Sequence, residues 1–285
     1  MNRNQALKTM AATAAALPFS KSLFDKSESN PVASRINHSV CKWCFPDYSV
    51  AELADFAARI GMGSVELLRE NEWPVVIERG LTCAIGYAST VPLNKGFNDP
   101  SLHEKLKKEY EAAIPKAADH GLTQVISFSG NRNGISDEVG MENCARGLEP
   151  VIKIAEKYNI VVSMELLNSK INHPDYQADK TEWMVELVDK VGSPNFKILY
   201  DIYHMQVQEG DIIATIQKYA DYIGHYHTAG VPGRHELNEE QELQYPAIMK
   251  AIVNTGYTGF VGHEFIPSSD NKLQSLEQAV KVCSV

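Results

Sequence analysis

A chain of 285 residues with 44% hydrophobic and 22% charged side chains has the composition of an ordinary globular protein, which excludes a fibrous repeat and a wholly disordered polypeptide. A net charge of −9 argues against a broad nucleic-acid interface, because binding phosphates requires a basic face. It leaves an anionic small molecule open as partner, since one local arginine or a metal ion reverses the field inside a pocket.

The first thirty residues read as a leader or disordered extension, and residues 31–285 as one catalytic domain. Arg3 and Lys8 precede any acidic residue, and Met10-Ala-Ala-Thr-Ala-Ala-Ala-Leu17 is small and apolar, the pattern of a secretory leader. The stretch Asn2-Arg3-Asn4-Gln5-Ala6-Leu7-Lys8 resembles a twin-arginine export signal in which Asn4 replaces the second arginine. Export to the periplasm is therefore expected, or a cytoplasmic location if the leader does not function. No other apolar run reaches the ~18 residues of a membrane span. Five cysteines (Cys41, Cys44, Cys83, Cys144, Cys283) cannot all pair. Cys41-Lys42-Trp43-Cys44 has no second pair to complete a zinc site, so buried thiols at a strand end are expected.

From about residue 35, short β-rich runs alternate with longer amphipathic ones. Arg35–Cys41 reads as a strand, followed by a helix over Ser49–Ile60 with Ser49 as N-cap and Glu52 in the capping-box position. Ser64–Leu67 is the second strand, with a short helix over Pro74–Arg79; Thr82–Gly86 is the third, with a helix over Pro100–His120 ended by Gly121. Gln124–Phe128 and a helix over Asp137–Tyr158 follow, then Ile160–Glu165 with Thr181–Val191. Phe196–Asp201 is paired with a helix over Asp211–Tyr219, Tyr222–His227 with Tyr245–Thr255, and Gly259–Glu264 with Lys272–Val282. About eight strand–helix units imply a parallel sheet and a (β/α)8 TIM barrel. Gly61-Met62-Gly63 lies between a helix and the next strand, which is the wrong order for a dinucleotide fingerprint and the right one for a helix C-cap.

The chemistry gathers at the strand ends. Glu66, Glu165, Asp201, His227 and Glu264 each fall at or near the C-terminal end of a strand, and in a barrel those ends converge on one mouth. Glu165, Asp201, His227 and Glu264 come from strands five to eight, so they can meet side by side. Three carboxylates in one partly dry pocket repel, and a divalent cation is the natural compensation. Oxygen-dominated ligation with one imidazole suits Mg²⁺ or Mn²⁺, with Zn²⁺ or Co²⁺ as alternatives. His225 and His227, two apart on a strand, share a face, with His225 expected to pack or to support. His263 is expected to pack; His38 and Trp43 fall at the mouth by strand count, as pocket wall. Asn131–Gly134 reads as a surface loop or a lid.

The stretches Ser64-Val-Glu-Leu67, Glu165-Leu-Leu-Asn168, Asp201-Ile-Tyr-His204, His225-Tyr-His-Thr-Ala-Gly230 and Gly262-His-Glu-Phe265 resemble the motifs of the sugar-isomerase-like (xylose isomerase-like) barrel family. Val231-Pro-Gly-Arg-His-Glu236 is similar to a run of its hydroxypyruvate-isomerase branch. The resemblance covers about His38 to the last helix. It implies that Glu165 and Glu264 hold the metal and exchange protons with substrate, and that Asp201 and His227 complete the ligand set. It implies that His204 contacts substrate, that Arg234 lies near the substrate's far end, and that Glu66 and Asn168 line the pocket. The implied reaction interconverts hydroxypyruvate and tartronate semialdehyde, or a close hydroxy-carbonyl pair, through an enediolate. Histidine at position 227 is the ketose-epimerase branch's habit, so a 3-epimerase of a ketose is the alternative. A DNA-repair-type phosphodiesterase on the same fold is disfavoured by the acidic charge, and a non-catalytic exported binding protein is the alternative of a different class.

Overall fold

The computed structural model describes residues 35–285; the expected leader over residues 1–30 lies outside them. Eight strands run in chain order as β1 Asn37–Cys41, β2 Ser64–Glu66, β3 Gly86–Tyr87, β4 Gln124–Ser127, β5 Val161–Glu165, β6 Phe196–Asp201, β7 Ile223–Thr228 and β8 Phe260–His263. The helices are α1 Val50–Arg59, α2 Trp73–Ile77, α3 His103–Asp119, α4 Asp137–Tyr158, α5 Thr181–Val191, α6 Ile202–Gln208, α7 Ile212–Lys218, α8 Tyr245–Asn254 and α9 Lys272–Cys283. All strand pairs are parallel, in the order β2-β1-β8-β7-β6-β5-β4-β3. Two isolated parallel bridges, Ser64 to Thr82 and Leu68 to Gly86, close β2 toward β3, so the sheet is a nearly closed barrel.

Each strand alternates between two environments, as a period of two requires. On β7, Tyr226 is buried between His225 and His227, and on β5, Met164 precedes Glu165. Polar side chains from alternate positions meet inside the barrel, while Val40, Val65, Val125, Val162 and Val261, all fully buried, occupy the other face of their strands. The strand ends are held level by register: Cys41 pairs with Glu66, Asp201 with His227, and His227 with Gly262. This levelling brings side chains far apart in sequence to one height.

Local signals explain the boundaries. The Ser49 hydroxyl accepts from Glu52 N while Glu52 accepts from Ser49 N at 2.8 Å, a complete capping box that starts α1. Gly61 takes φ 83° just past α1, with Met62 N donating to Ala57 O, the left-handed helix end that favours glycine. The third strand is shorter and later than Thr82–Gly86, because Ser64 Oγ takes the Ala84 N–H at 2.8 Å and so interrupts the ladder with a side chain. Helix α6 was not expected. It starts directly from β6, with Asp201 as N-cap accepting from His204 N at 2.9 Å. Among the described residues, no helix is long and apolar enough to cross a membrane. All five cysteines are free and buried.

Candidate metal centre and active site

Glu165 ends β5, Asp201 ends β6, His227 is the penultimate residue of β7, and Glu264 directly follows β8. Each offers one ligand atom, and these four atoms all lie within 4.8 Å of one another. His227 Nδ1 is 3.2 Å from Glu165 Oε1 and 3.1 Å from Glu264 Oε2. All four side chains are buried. Were all three carboxylates ionised at this spacing, each pair would repel by about 3.5 kcal/mol at an effective dielectric of about 20. Summed, that rivals the net stability of a whole domain, so positive charge or protons must sit among them.

The groups present divide that compensation unevenly. Burial pushes Asp201 up to about 8, with Glu264 and Glu165 adding to the rise against the opposing pull of Arg234. Burial and Glu264 raise Glu165. Glu264 is held well below the usual carboxylate range despite its burial, by Arg234 and then His227. Asp201 Oδ2 is buried with no hydrogen-bond partner. An orphaned carboxylate oxygen beside three further N and O donors fits a divalent cation, and the oxygen-rich set suits a hard or borderline one.

Around this cluster stand residues that grip it. Trp43 Nε1 donates to Glu264 Oε1 at 2.8 Å, and Arg234 NH2 donates to Glu264 Oε2. The Arg234 guanidinium lies 5.1 Å over the Trp43 ring and 5.6 Å from the Tyr203 ring, between two aromatic faces. It also comes within 3.6 Å of Asp201 Oδ2. Tyr203 OH donates to Asn172 Oδ1 at 3.0 Å, and Asn168 Nδ2 donates to the same atom at 2.8 Å.

His204 Nδ1 accepts from Asn168 N at 3.2 Å, so its proton resides on Nε2. That Nε2 has no hydrogen-bond partner and faces Asp201 Oδ2 at 3.8 Å. Burial holds the ring neutral, far below its ordinary pKa. A neutral imidazole with a free N–H beside the cluster can donate to a substrate oxygen. His173, half-buried, packs 5.2 Å from the His204 ring.

Glu66 and His225 lie on the inner side of His227. Glu66 Oε1 is 3.0 Å from His225 Nε2 and 2.8 Å from His227 Nε2, and Cys41 Sγ donates to it at 3.3 Å. Although burial opposes it, His225 and His227 hold the Glu66 carboxyl well below the usual range.

One expectation from strand counting changes, and one of the two loop readings is selected. His38 does not reach the mouth: it stacks on His263 with centroids 5.3 Å apart and reaches Ser284 just past α9, because it occupies the strand face opposite Cys41. The Asn131–Gly134 loop is tied down rather than poised as a lid, with Arg132 paired to Asp137 and Asp179 and Asn133 N donating to Asp175 Oδ2. Trp43 is more than pocket wall, through a bond to Glu264 that no local pattern shows, and Tyr203 and Asn172 join the site beyond the expected residues. The spacing of Tyr203, one residue before His204 in a helix capped by Asp201, was the available signal.

The family profile described as xylose isomerase-like TIM barrel matches residues 54–283. Hydroxypyruvate isomerase of Escherichia coli (strain K12) is 29% identical over 231 residues, covering 80% of this chain and 83% of that protein. D-psicose 3-epimerase of Enterocloster bolteae is 27% identical over 208 residues, 66% of each chain. Across these relatives, alignments span from 36% to 94% of the relative's length. Among solved structures, the IOLI protein with a bound zinc atom superposes with a TM-score of 0.68 at 17% identity, over 87% of this chain and 98% of that one, a likeness of fold.

Proposed function

The chain belongs to the xylose isomerase-like TIM-barrel family, and from that premise we propose that it is a metal-dependent isomerase interconverting hydroxypyruvate and tartronate semialdehyde, or a close hydroxy-carbonyl pair. The observation that carries this reading is the meeting of Glu165, Asp201, His227 and Glu264, from four consecutive strands, within 4.8 Å. A divalent cation held by Glu165, Asp201, His227 and Glu264 would supply Lewis acidity to the substrate.

The chain's own groups do the rest. One of the pair Glu165 and Glu264, ionised, takes a proton from the hydroxymethyl carbon; the other, protonated, delivers one to the neighbouring carbonyl carbon; and the hydroxyl proton passes from the former alcohol oxygen to the former carbonyl oxygen, so that atoms and charge balance. His204 donates its Nε2–H to a substrate oxygen, in line with the free N–H beside Asp201. Arg234, with its guanidinium over the Trp43 and Tyr203 rings, presents N–H groups to a substrate carboxylate, for which a planar guanidinium is the matching shape.

Metal analysis of the purified full chain, followed by assay against hydroxypyruvate, hydroxy-aldehydes and ketoses, tests the reading. We expect about one divalent ion per chain and turnover of hydroxypyruvate. Glu165→Gln and Glu264→Gln should each cut turnover at least about 100-fold with the barrel still folded. Near-normal rates in both would refute the proton-exchange assignment.

A second reading, a ketose 3-epimerase, is favoured by histidine as the imidazole ligand and by the D-psicose 3-epimerase relative. Reaction in deuterated water separates the two. Label arriving at the neighbouring carbon marks isomerisation, and inversion at one labelled carbon marks epimerisation.

A further inference from the structure

Glu66 is a fully buried carboxylate that the four-ligand cluster leaves out. It ends β2, level with Cys41 across the β1–β2 pairing, and points inward beneath the imidazole of His227. A carboxylate accepts hydrogen bonds and cannot donate them. The two ring nitrogens that approach Glu66 Oε1, His225 Nε2 at 3.0 Å and His227 Nε2 at 2.8 Å, therefore each carry hydrogen. The opposite nitrogen of the same His227 ring, Nδ1, lies 3.2 Å from Glu165 Oε1 and 3.1 Å from Glu264 Oε2. By the same rule Nδ1 also carries hydrogen in the metal-free ring; a cation at the cluster end takes the place of that hydrogen, while the one on Nε2 stays with Glu66.

The backbone of β8 supplies independent support. A Cβ built on Gly262 would stand 2.2 Å from Glu66 Oε1 and 2.9 Å from His227 Cδ2. Gly262 pairs in register with His227, so the missing side chain lies where carboxylate and imidazole meet. The space that admits this contact is built into the strand.

We propose that Glu66 is a positioning residue: by accepting from Nε2–H it holds His227 in one tautomer and one orientation, making Nδ1 the atom that takes the divalent cation, with Gly262 providing the room. The inference rests on the metal-dependent reading above and deepens it. Residues that orient a ligating histidine in this way contribute about 10- to 100-fold to metal affinity.

The test is titration of Mn²⁺ into the metal-stripped full chain by calorimetry, with Glu66→Gln beside the unsubstituted protein. A companion measurement is long-range ¹H–¹⁵N correlation of the histidine rings in the unsubstituted protein loaded with diamagnetic Zn²⁺. We expect Glu66→Gln to bind Mn²⁺ about 10- to 100-fold more weakly while keeping its circular dichroism, and His227 to carry its hydrogen on Nε2. Affinity in Glu66→Gln within about threefold of the parent, or hydrogen on Nδ1, overturns the proposal and leaves the metal-dependent reading standing. No Mn²⁺ uptake by the unsubstituted protein overturns both. Should Glu66→Gln fail to fold, the ring correlation on the unsubstituted protein still decides.

Discussion

Trp43 shows how much a single side chain can hold. Its indole N–H grips one oxygen of Glu264 and its ring face carries Arg234, whose guanidinium grips the other oxygen. Glu264 is thereby fixed on both sides, and its remaining freedom is small. A hydrogen bond to a charged group is worth about 1.5–3 kcal/mol, so Trp43→Phe, which keeps a ring under Arg234 and removes the N–H, should lower kcat about 10- to 100-fold. Trp43→Ala should in addition raise KM, because Arg234 loses a face to lie on. Steady-state kinetics of the two variants checks the split. The role of Trp43 was not legible in the chain: the two partners of that bond are 221 positions apart, and no local spacing connects them.

Among the elements, two short devices matter most. Asp201 works at both oxygens: Oδ1 caps α6 through His204 N, and Oδ2 faces the candidate metal cluster. Asp201→Asn keeps an oxygen for the cap and loses the charge, so it should fold with little change and bind metal poorly. Asp201→Ala should also lose about 1 kcal/mol of stability. Chemical denaturation and metal titration separate the two contributions.

The second device is the segment Val231–Glu236, which is zipped to the chain beyond β8. Ile266 N donates to Arg234 O at 2.7 Å, and Glu236 accepts from Ser268 N, Ser268 Oγ, Ser269 N and Ser275 Oγ. Arg234 sits in this segment at φ 63°, a left-handed conformation that such bracing sustains. Glu236→Ala should cost about 2–3 kcal/mol and raise KM more than it lowers kcat, since it frees the loop that aims Arg234. Equal KM in variant and parent would show that the staple serves stability alone. The sequence pointed to Arg234 but left Glu236 without a task, because its partners lie 32 to 39 positions on, beyond α8 and β8, where no local spacing connects them.

For the molecule as a whole, the buried pair His38 and His263 should cost the fold stability in acid. Burial lowers His38 to about 4 and holds His263 well below its ordinary value. Above pH 6.5 the folded and unfolded chains both keep these rings neutral, and nothing is lost. As pH falls from 6.5 toward 4 the unfolded chain binds protons that the fold excludes, so stability declines, by about 3 kcal/mol for His38 alone at pH 4. Urea unfolding between pH 7 and 4.5 should show this slope, and His38→Gln should flatten it. Metal removal acts in the same direction: at a free-ion concentration about 100 times Kd, binding adds about 2.7 kcal/mol, so chelation should lower Tm by about 5–10 °C.

Taken by itself, the chain determined the strand–helix rhythm and pointed to the candidate ligand residues. Both are written locally: apolar runs with period two alternate with helical patterns, and Glu165, Asp201, His227 and Glu264 each occupy the same place at the end of such a run. Tertiary structure alone decided what surrounds those ligands: Trp43 on Glu264, Glu66 beneath His227 in the space left by Gly262, and His38 turned out against α9. Barrel closure sets which strand end stands beside which, and one residue of register turns a side chain from the lumen to the helical layer. Contacts of that kind belong to the closed sheet, not to any stretch of sequence.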